Sequence, residues 1–206
     1  MPKTLTHYCL YAILILPLFS LGQSKPNTDY IVLTAGDTLY GTVDYLDERG
    51  TNPKFYKKIR FTNSEGKRKK YRQHNVLAFK SGHKAFEAFW LSNRSERIVL
   101  FNPIYRIDTQ KGSHEFLRVM HKGNLSYYEL EWWDQGEAGI NGMALLKKTK
   151  DSFFIRADQG LFGLNRKALA NYFKDCPELA TQITTKTIKK VWDILDFYNL
   201  ECGITN

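Results

Sequence analysis

Short runs of β-branched, aromatic and apolar residues, each closed by turn-forming residues, follow one another from about residue 30 to residue 155. Thr38 to Tyr45 shows the period most clearly, because Leu39, Gly41 and Val43 fall on one face and Thr38, Tyr40 and Thr42 on the other. This period of two is typical of a strand with one buried face. Many such runs at short spacing predict antiparallel meanders that close into a barrel-like or a sandwich arrangement, and the pattern does not choose between the two closures.

The turns divide this region into successive hairpins. The strand-like runs are Tyr30–Thr34, Thr38–Tyr45, Phe55–Thr62, Lys69–Arg72, Val76–Lys80, Lys84–Trp90, Arg97–Phe101, Ile104–Asp108, Glu115–His121, Leu125–Trp133, Met143–Lys148 and Ser152–Ile155. Asn102-Pro103 separates Arg97–Phe101 from Ile104–Asp108, which predicts a hairpin between those two runs. The glycine-rich stretch Gln135–Gly142 is expected to be a loop.

The period changes near the C-terminus. Asn165 is a good N-cap for a helix that reaches Phe173, and Asp175 to Pro177 is typical of a second helix start. An apolar stripe at helical spacing follows, formed by Ile188, Val191, Trp192, Leu195 and Tyr198. We therefore expect an α+β, mainly β chain, with an antiparallel β domain at 23–160 and a C-terminal helical segment at 161–206 that packs on the sheet as a cap.

The first 22 residues have the three parts of a secretory signal. Lys3 supplies a basic start, Cys9 to Leu21 is almost wholly apolar, and Ser20 and Gly22 are the small residues that precede a cut before Gln23. The apolar run is shorter than the roughly 20 residues of a membrane-spanning helix. Cleavage and export are therefore expected, with an uncleaved anchor as the alternative, and no later segment has the length of a transmembrane helix.

Removal of the signal would leave two of the three cysteines in the mature chain. Cys9 leaves with it, and Cys176 and Cys202 remain as an even pair in an exported chain, which predicts a disulfide. Such a bond would stabilise the fold by roughly 2–4 kcal/mol. Two separate buried thiols are the alternative.

The charge of the chain is clearly positive. It has 30 lysines and arginines against 21 acids, and the strongest cluster is Lys67, Arg68, Lys69 and Lys70. An exported protein does not meet genomic nucleic acid, so the expected partners are an anionic lipid headgroup, an anionic glycan or another envelope protein. A purely protective role, in which the charges keep a strand edge from pairing with another chain, is the alternative.

Aromatic residues in Leu125–Trp133 are a second candidate surface. Alternation along the strand puts Tyr127, Glu129, Glu131 and Trp133 on one face. An exposed Trp133, with Tyr127 beside it, could stack on a sugar or on a partner protein.

Sequence motifs for a reaction are missing. The chain has no Gly-x-Ser-x-Gly elbow, phosphate loop, dinucleotide fingerprint or His-Glu-x-x-His helix. His114 and His121, seven residues apart in one strand, should point to opposite faces and make a poor metal pair. We therefore expect no cofactor and no metal, and a non-enzymatic binding or scaffolding role. The alternative is a glycan or lipid hydrolase that uses two of four dispersed acids, namely Asp44, Asp108, Glu129 and Glu131.

Three short segments resemble a known group of proteins. They are Gly36–Gly41, with the sequence GDTLYG, Phe173–Leu179, with the sequence FKDCPEL, and Phe197–Cys202, with the sequence FYNLEC. Together with the N-terminal signal, they resemble uncharacterised exported proteins of Bacteroidota bacteria. The resemblance implies a bacterial periplasmic or outer envelope location and brings no activity with it.

Overall fold

The computed structural model describes residues 28–44, 58–92, 104–133, 140–159 and 163–203, and every structural statement below concerns these residues. The signal at 1–22 and the run Arg97–Phe101 lie outside them. The strands are β1 (Asp29–Leu33), β2 (Thr38–Asp44), β3 (Lys58–Thr62), β4 (Arg68–Arg72), β5 (Val76–Ser81), β6 (Lys84–Leu91), β7 (Ile104–Arg106), β8 (Ser113–His121), β9 (Leu125–Trp133), β10 (Ile140–Lys148) and β11 (Phe153–Arg156). The helices are α1 (Arg166–Tyr172), α2 (Pro177–Thr184) and α3 (Val191–Phe197), followed by a π-helical turn at Tyr198–Cys202 and preceded by a 3-10 turn at Gln73–Asn75.

The strands form one antiparallel sheet, in the order β4-β3-β2-β1-β5-β6-β8-β9-β10-β11-β7. This confirms the α+β, mainly β class and the antiparallel meanders. Two details differ from expectation. The strand at Ile104–Arg106 pairs with β11 at the far edge, where Tyr105 lies opposite Phe154, and β10 begins at Ile140, inside the stretch expected to be a loop. Residue periodicity indicates a strand but says nothing about a non-sequential partner.

The sheet is not closed into a barrel. Alternate residues of β6 belong to two different hydrophobic clusters, since Phe86 and Ala88 pack with one and Phe89 and Leu91 with the other. Neighbouring residues in a strand point to opposite faces, so the two clusters lie on opposite sides of the sheet.

The first cluster fixes which way β3 and β4 face. Ile59, Phe61 and Tyr71 are buried in it, together with the stacked rings of Phe79 and Phe86, whose centroids are 4.7 Å apart. Burying a large apolar side chain contributes about 1.5–3 kcal/mol, and a register slip of one residue would expose all of them. The residues that alternate with Ile59, Phe61 and Tyr71 are consequently held on the outer face.

The helices cover the outer face of β9, β10 and β11. Leu169, Phe173, Leu179, Ile183, Ile194 and Leu195 are buried there against Leu125, Leu146 and Ile155. No described helix is long and apolar enough to cross a membrane.

The apolar stripe expected from Ile188 to Tyr198 does not lie on one continuous helix. The helix α2 ends near Lys186, which has a left-handed φ of 66°, and Ile188 lies before α3 begins. The β-branched run Thr184-Thr185 and Thr187 disfavours continuation of the helix. Within α3 the buried residues are Ile194 and Leu195, and Trp192, expected to face inward, is 42% exposed.

Lys148 of β10 connects the sheet to the helices. Its ammonium group lies 4.3 Å from the ring centre of Tyr172 and 5.3 Å from that of Tyr198, and it forms an ion pair of 2.6 Å with Asp175. The Tyr198 hydroxyl also donates to Asp175, at 2.8 Å. Partial burial would raise the pKa of the Asp175 carboxyl, but the hydrogen bonds from Lys148 and Tyr198 outweigh burial and hold this pKa below its usual value.

Asn199 makes a second connection. Its side-chain amide accepts a hydrogen bond from the backbone N–H of Leu125, at 2.8 Å, and donates one to the backbone oxygen of Leu125, at 3.0 Å. It thus satisfies both backbone groups of a fully buried residue at the start of β9. Three residues of the C-terminal motifs, Asp175, Tyr198 and Asn199, therefore hold the helices on the sheet.

Candidate functional site

The basic run at 67–70 is divided between two faces and a turn. Lys67 lies in the turn before β4 and pairs with Glu65 at 3.0 Å. Lys69 points to the same side as Tyr71, with its ammonium group 4.9 Å from the Tyr71 ring centre. Arg68 and Lys70 alternate with these two residues and lie exposed on the outer face. The four cations expected to act together do not share one surface.

Three cations outside the run at 67–70 lie on the outer face together with Arg68 and Lys70. In the register of β3 and β4, Lys58 lies opposite Arg72 and Arg60 lies opposite Lys70, and all four are exposed. Arg68 lies opposite Thr62 on the same face. We call the set Lys58, Arg60, Arg68, Lys70 and Arg72 the basic face. Lys58, Arg60 and Arg72 were not among the expected contact residues, although alternation in Phe55–Thr62 already implies that Lys58 and Arg60 share a face.

The basic face contains two like-charged pairs across neighbouring strands. Directly opposite residues of an antiparallel pair have Cβ atoms about 4.5–5.5 Å apart, and like charges at that distance are destabilising. In the described part of the chain, no ion pair compensates any of the five cations, and the nearest acid in the register is the half-buried Asp44, opposite Arg60 on β2. The Lys58–Arg72 pair therefore costs stability in the isolated molecule, whereas Asp44 offsets part of the repulsion between Arg60 and Lys70.

Protection of a sheet edge explains only half of this arrangement. The strand β4 is an edge of the sheet, where lysine and arginine discourage pairing with another chain. The strand β3, however, is paired on both sides, with β2 and with β4. Edge protection therefore gives no reason for Lys58 and Arg60.

The expected aromatic contact is largely internal. Tyr127 is buried, packs against the edge of Trp192 at 5.2 Å between ring centres, and donates its hydroxyl hydrogen to Glu129 at 2.7 Å. Burial, followed by this hydrogen bond, raises the pKa of Tyr127. Trp133 belongs to β9, but its side chain lies outside the described part of the structure. The prediction of Tyr127 as a surface contact is wrong. Strand alternation indicates the face to which Tyr127 points, but it does not indicate that the helices cover that face.

Three of the four acids considered for catalysis have structural partners, and the fourth, Asp44, lies opposite Arg60. Arg118 lies between Glu129 and Glu131, at 3.5 and 3.2 Å, and Glu131 is buried. Asp108 accepts hydrogen bonds from the backbone N–H groups of Gln110 and Lys111 in an exposed turn, which lowers its pKa. Arg118 thus pairs with both carboxylates, whereas the two acids of a glycosidase enclose a water or a sugar between them.

Two other features of the expected site can be placed. The Cα atoms of Cys176 and Cys202 are 5.9 Å apart and their sulfur atoms lie at disulfide-bonding distance, joining the start of α2 to the π-helical turn. Within the ranges that the structure covers, no group of three or more His, Cys, Asp or Glu side chains is arranged to hold a metal ion.

Comparison of this chain with models of protein families, with curated proteins and with solved structures finds no match.

Proposed function

We propose that this chain is an exported, non-enzymatic binding module of the bacterial envelope, and that it binds a multivalent anionic partner through the basic face. One observation carries the proposal. Lys58 lies opposite Arg72 and Arg60 lies opposite Lys70, and Lys58 and Arg60 belong to β3, which is paired on both sides and is not an edge strand. A bound anion would turn this repulsion into attraction, so the energetic cost in the free protein is recovered on binding.

The spacing of the cations suits phosphate or carboxylate groups. The Cβ atoms of directly opposite cations are about 5 Å apart, and those of Arg68, Lys70 and Arg72 follow one another along β4 at about 7 Å, twice the rise per residue. Three of the five cations are arginines, whose planar guanidinium group can donate two parallel hydrogen bonds to one such anion. A ligand with several anionic groups therefore engages more of the face than a single ion does.

The hydrolase alternative has no comparable support among the acids that the structure describes. Glu129 and Glu131 share Arg118, and Asp108 caps a turn. Asp44 lies beside Arg60 at the margin of the basic face.

A soluble polyanion tests the proposal. The face variant carries Lys58→Gln, Arg60→Gln, Lys70→Gln and Arg72→Gln, and its matched control carries Lys111→Gln, Lys150→Gln, Lys174→Gln and Lys189→Gln, four exposed lysines elsewhere. Binding to heparin is measured by titration at several salt concentrations. Because exposed ion pairs contribute about 0.2–1 kcal/mol each, the face variant should lose affinity by about tenfold or more and bind with a weaker salt dependence.

The control variant has the same net charge and should keep most of the affinity. Equal losses in the two variants would mean that overall charge governs binding, and the proposal would then be wrong. Unfolding in urea checks that both variants are folded.

A further inference from the structure

Beyond the basic face, the outer face continues onto β2, where Asp44 is preceded by a strip of threonine and tyrosine side chains. On β2, Thr38, Tyr40 and Thr42 point to the same side as Arg60 and Lys70, because Thr42 lies opposite Thr62 in the register. Tyr40 is 64% exposed, and its neighbour across the strand pair is Tyr30 of β1, with ring centres 6.4 Å apart. The outer face of β1–β4 thus has cations at the sheet edge and a pair of tyrosine rings on β1 and β2, with Thr62 and Thr42 between them.

The surface formed by the basic face and the β2 strip is larger than a small ligand can cover. Four neighbouring strands span about 14 Å across the sheet, and five residues extend about 17 Å along a strand. A single phosphate or carboxylate group touches only two or three of the cations. The ligand that fits the whole surface presents many anionic groups over a similar area.

We infer that the partner of this surface is an anionic lipid bilayer. The inference rests on the proposed function and names its ligand. Lysine and arginine reach lipid phosphates, each contributing about 1 kcal/mol, or about fivefold in affinity, near an anionic membrane surface. Tyrosine has an apolar ring and a polar hydroxyl, and it is enriched where lipid meets water. Tyr40, exposed on the same side of the sheet as the cations, would sit at headgroup level while the basic face contacts the phosphates.

Vesicle binding by Tyr40 variants tests this inference. Full-length mature protein is titrated with vesicles of phosphatidylcholine containing phosphatidylglycerol, and separately with heparin, which has no apolar phase. Tyr40→Ser should weaken vesicle binding by about three- to tenfold, since it removes an aromatic ring that is buried only in part by the interface. The same substitution should leave heparin binding unchanged.

Leu200→Ser is the matched control, because Leu200 is 65% exposed and lies on the π-helical turn, away from β1–β4. It should change neither titration. A second measurement uses Tyr40→Trp and brominated lipids, which quench only residues at the interface. Fluorescence of this variant should be quenched by more than that of the unsubstituted protein.

The outcomes separate the two claims. If Tyr40→Ser binds vesicles as well as the unsubstituted protein and Tyr40→Trp shows no added quenching, the bilayer inference is wrong, while loss of heparin binding in the face variant still supports the proposed function. If the face variant and its charge-matched control bind heparin equally, the proposed function itself fails.

Discussion

Single side chains in this protein make connections that hydrophobic patterning cannot anticipate. Asn199 is the clearest example, because its amide replaces a strand partner for Leu125 and brings the C-terminal turn onto β9. Gly123 is part of the same contact, since a Cβ atom there would lie 2.8 Å from the Asn199 side-chain oxygen. The sequence shows that Asn199 follows an apolar stripe, but it does not indicate which backbone groups the Asn199 side chain binds.

Replacing Asn199 by alanine should destabilise the protein by about 2–3 kcal/mol. The substitution leaves both backbone groups of the buried Leu125 without their partners, and each unsatisfied buried group costs about 1–3 kcal/mol. Equilibrium unfolding in urea measures the change. Asn171→Ala, at an exposed position of α1, is the control and should change the free energy of unfolding by less than about 0.5 kcal/mol. Equal effects of the two substitutions would show that the Asn199 contacts are not stabilising.

At the scale of elements, the hairpin formed by β3 and β4 combines a buried inner face with a repulsive outer one. Ile59, Phe61 and Tyr71 hold the register, and that register forces Lys58 against Arg72 and Arg60 against Lys70. The hairpin is therefore predicted to be less stable than its apolar side alone would make it.

Lys70→Glu should stabilise the free protein and weaken anion binding at the same time. The new carboxylate would face Arg60 across the strands and lie between Arg68 and Arg72 along β4, so repulsion is replaced by attraction. Each such pair is worth roughly 0.2–1 kcal/mol, and the free energy of unfolding should rise by about that amount. Lys150→Glu, in the exposed turn after β10, is the control with the same charge change. An unchanged or lower stability for Lys70→Glu would contradict the like-charge account.

Most elements could be predicted from the sequence because their residues alternate or repeat with a clear period. The runs that became β1, β2, β5, β6, β8 and β9 lie within a few residues of their expected positions. Pairing was harder, because β5 joins β1 and β7 joins β11, and periodicity contains no information about non-sequential partners. The basic face was found only in part for the same reason, since it combines two strands whose register had to be known.

At the scale of the whole molecule, the helices and the basic face occupy different strands of one sheet. The helices cover β9–β11, where Leu146 and Ile155 pack against Leu169 and Phe173. The outer face of β1–β4 carries instead the basic face and Tyr40, with its polar and aromatic side chains exposed. The helices thus cover one part of the sheet, and the proposed binding surface belongs to the other part.

Lysine footprinting over the whole chain tests the central claim most directly. The protein is acetylated briefly with and without a saturating polyanion, and the rate at each lysine is measured by mass spectrometry. We expect Lys58 and Lys70 to be acetylated several-fold more slowly when the polyanion is bound, while Lys150, Lys174 and Lys189 keep their rates. Protection of those three lysines, with Lys58 and Lys70 unchanged, would contradict the claim that β3 and β4 present the binding surface.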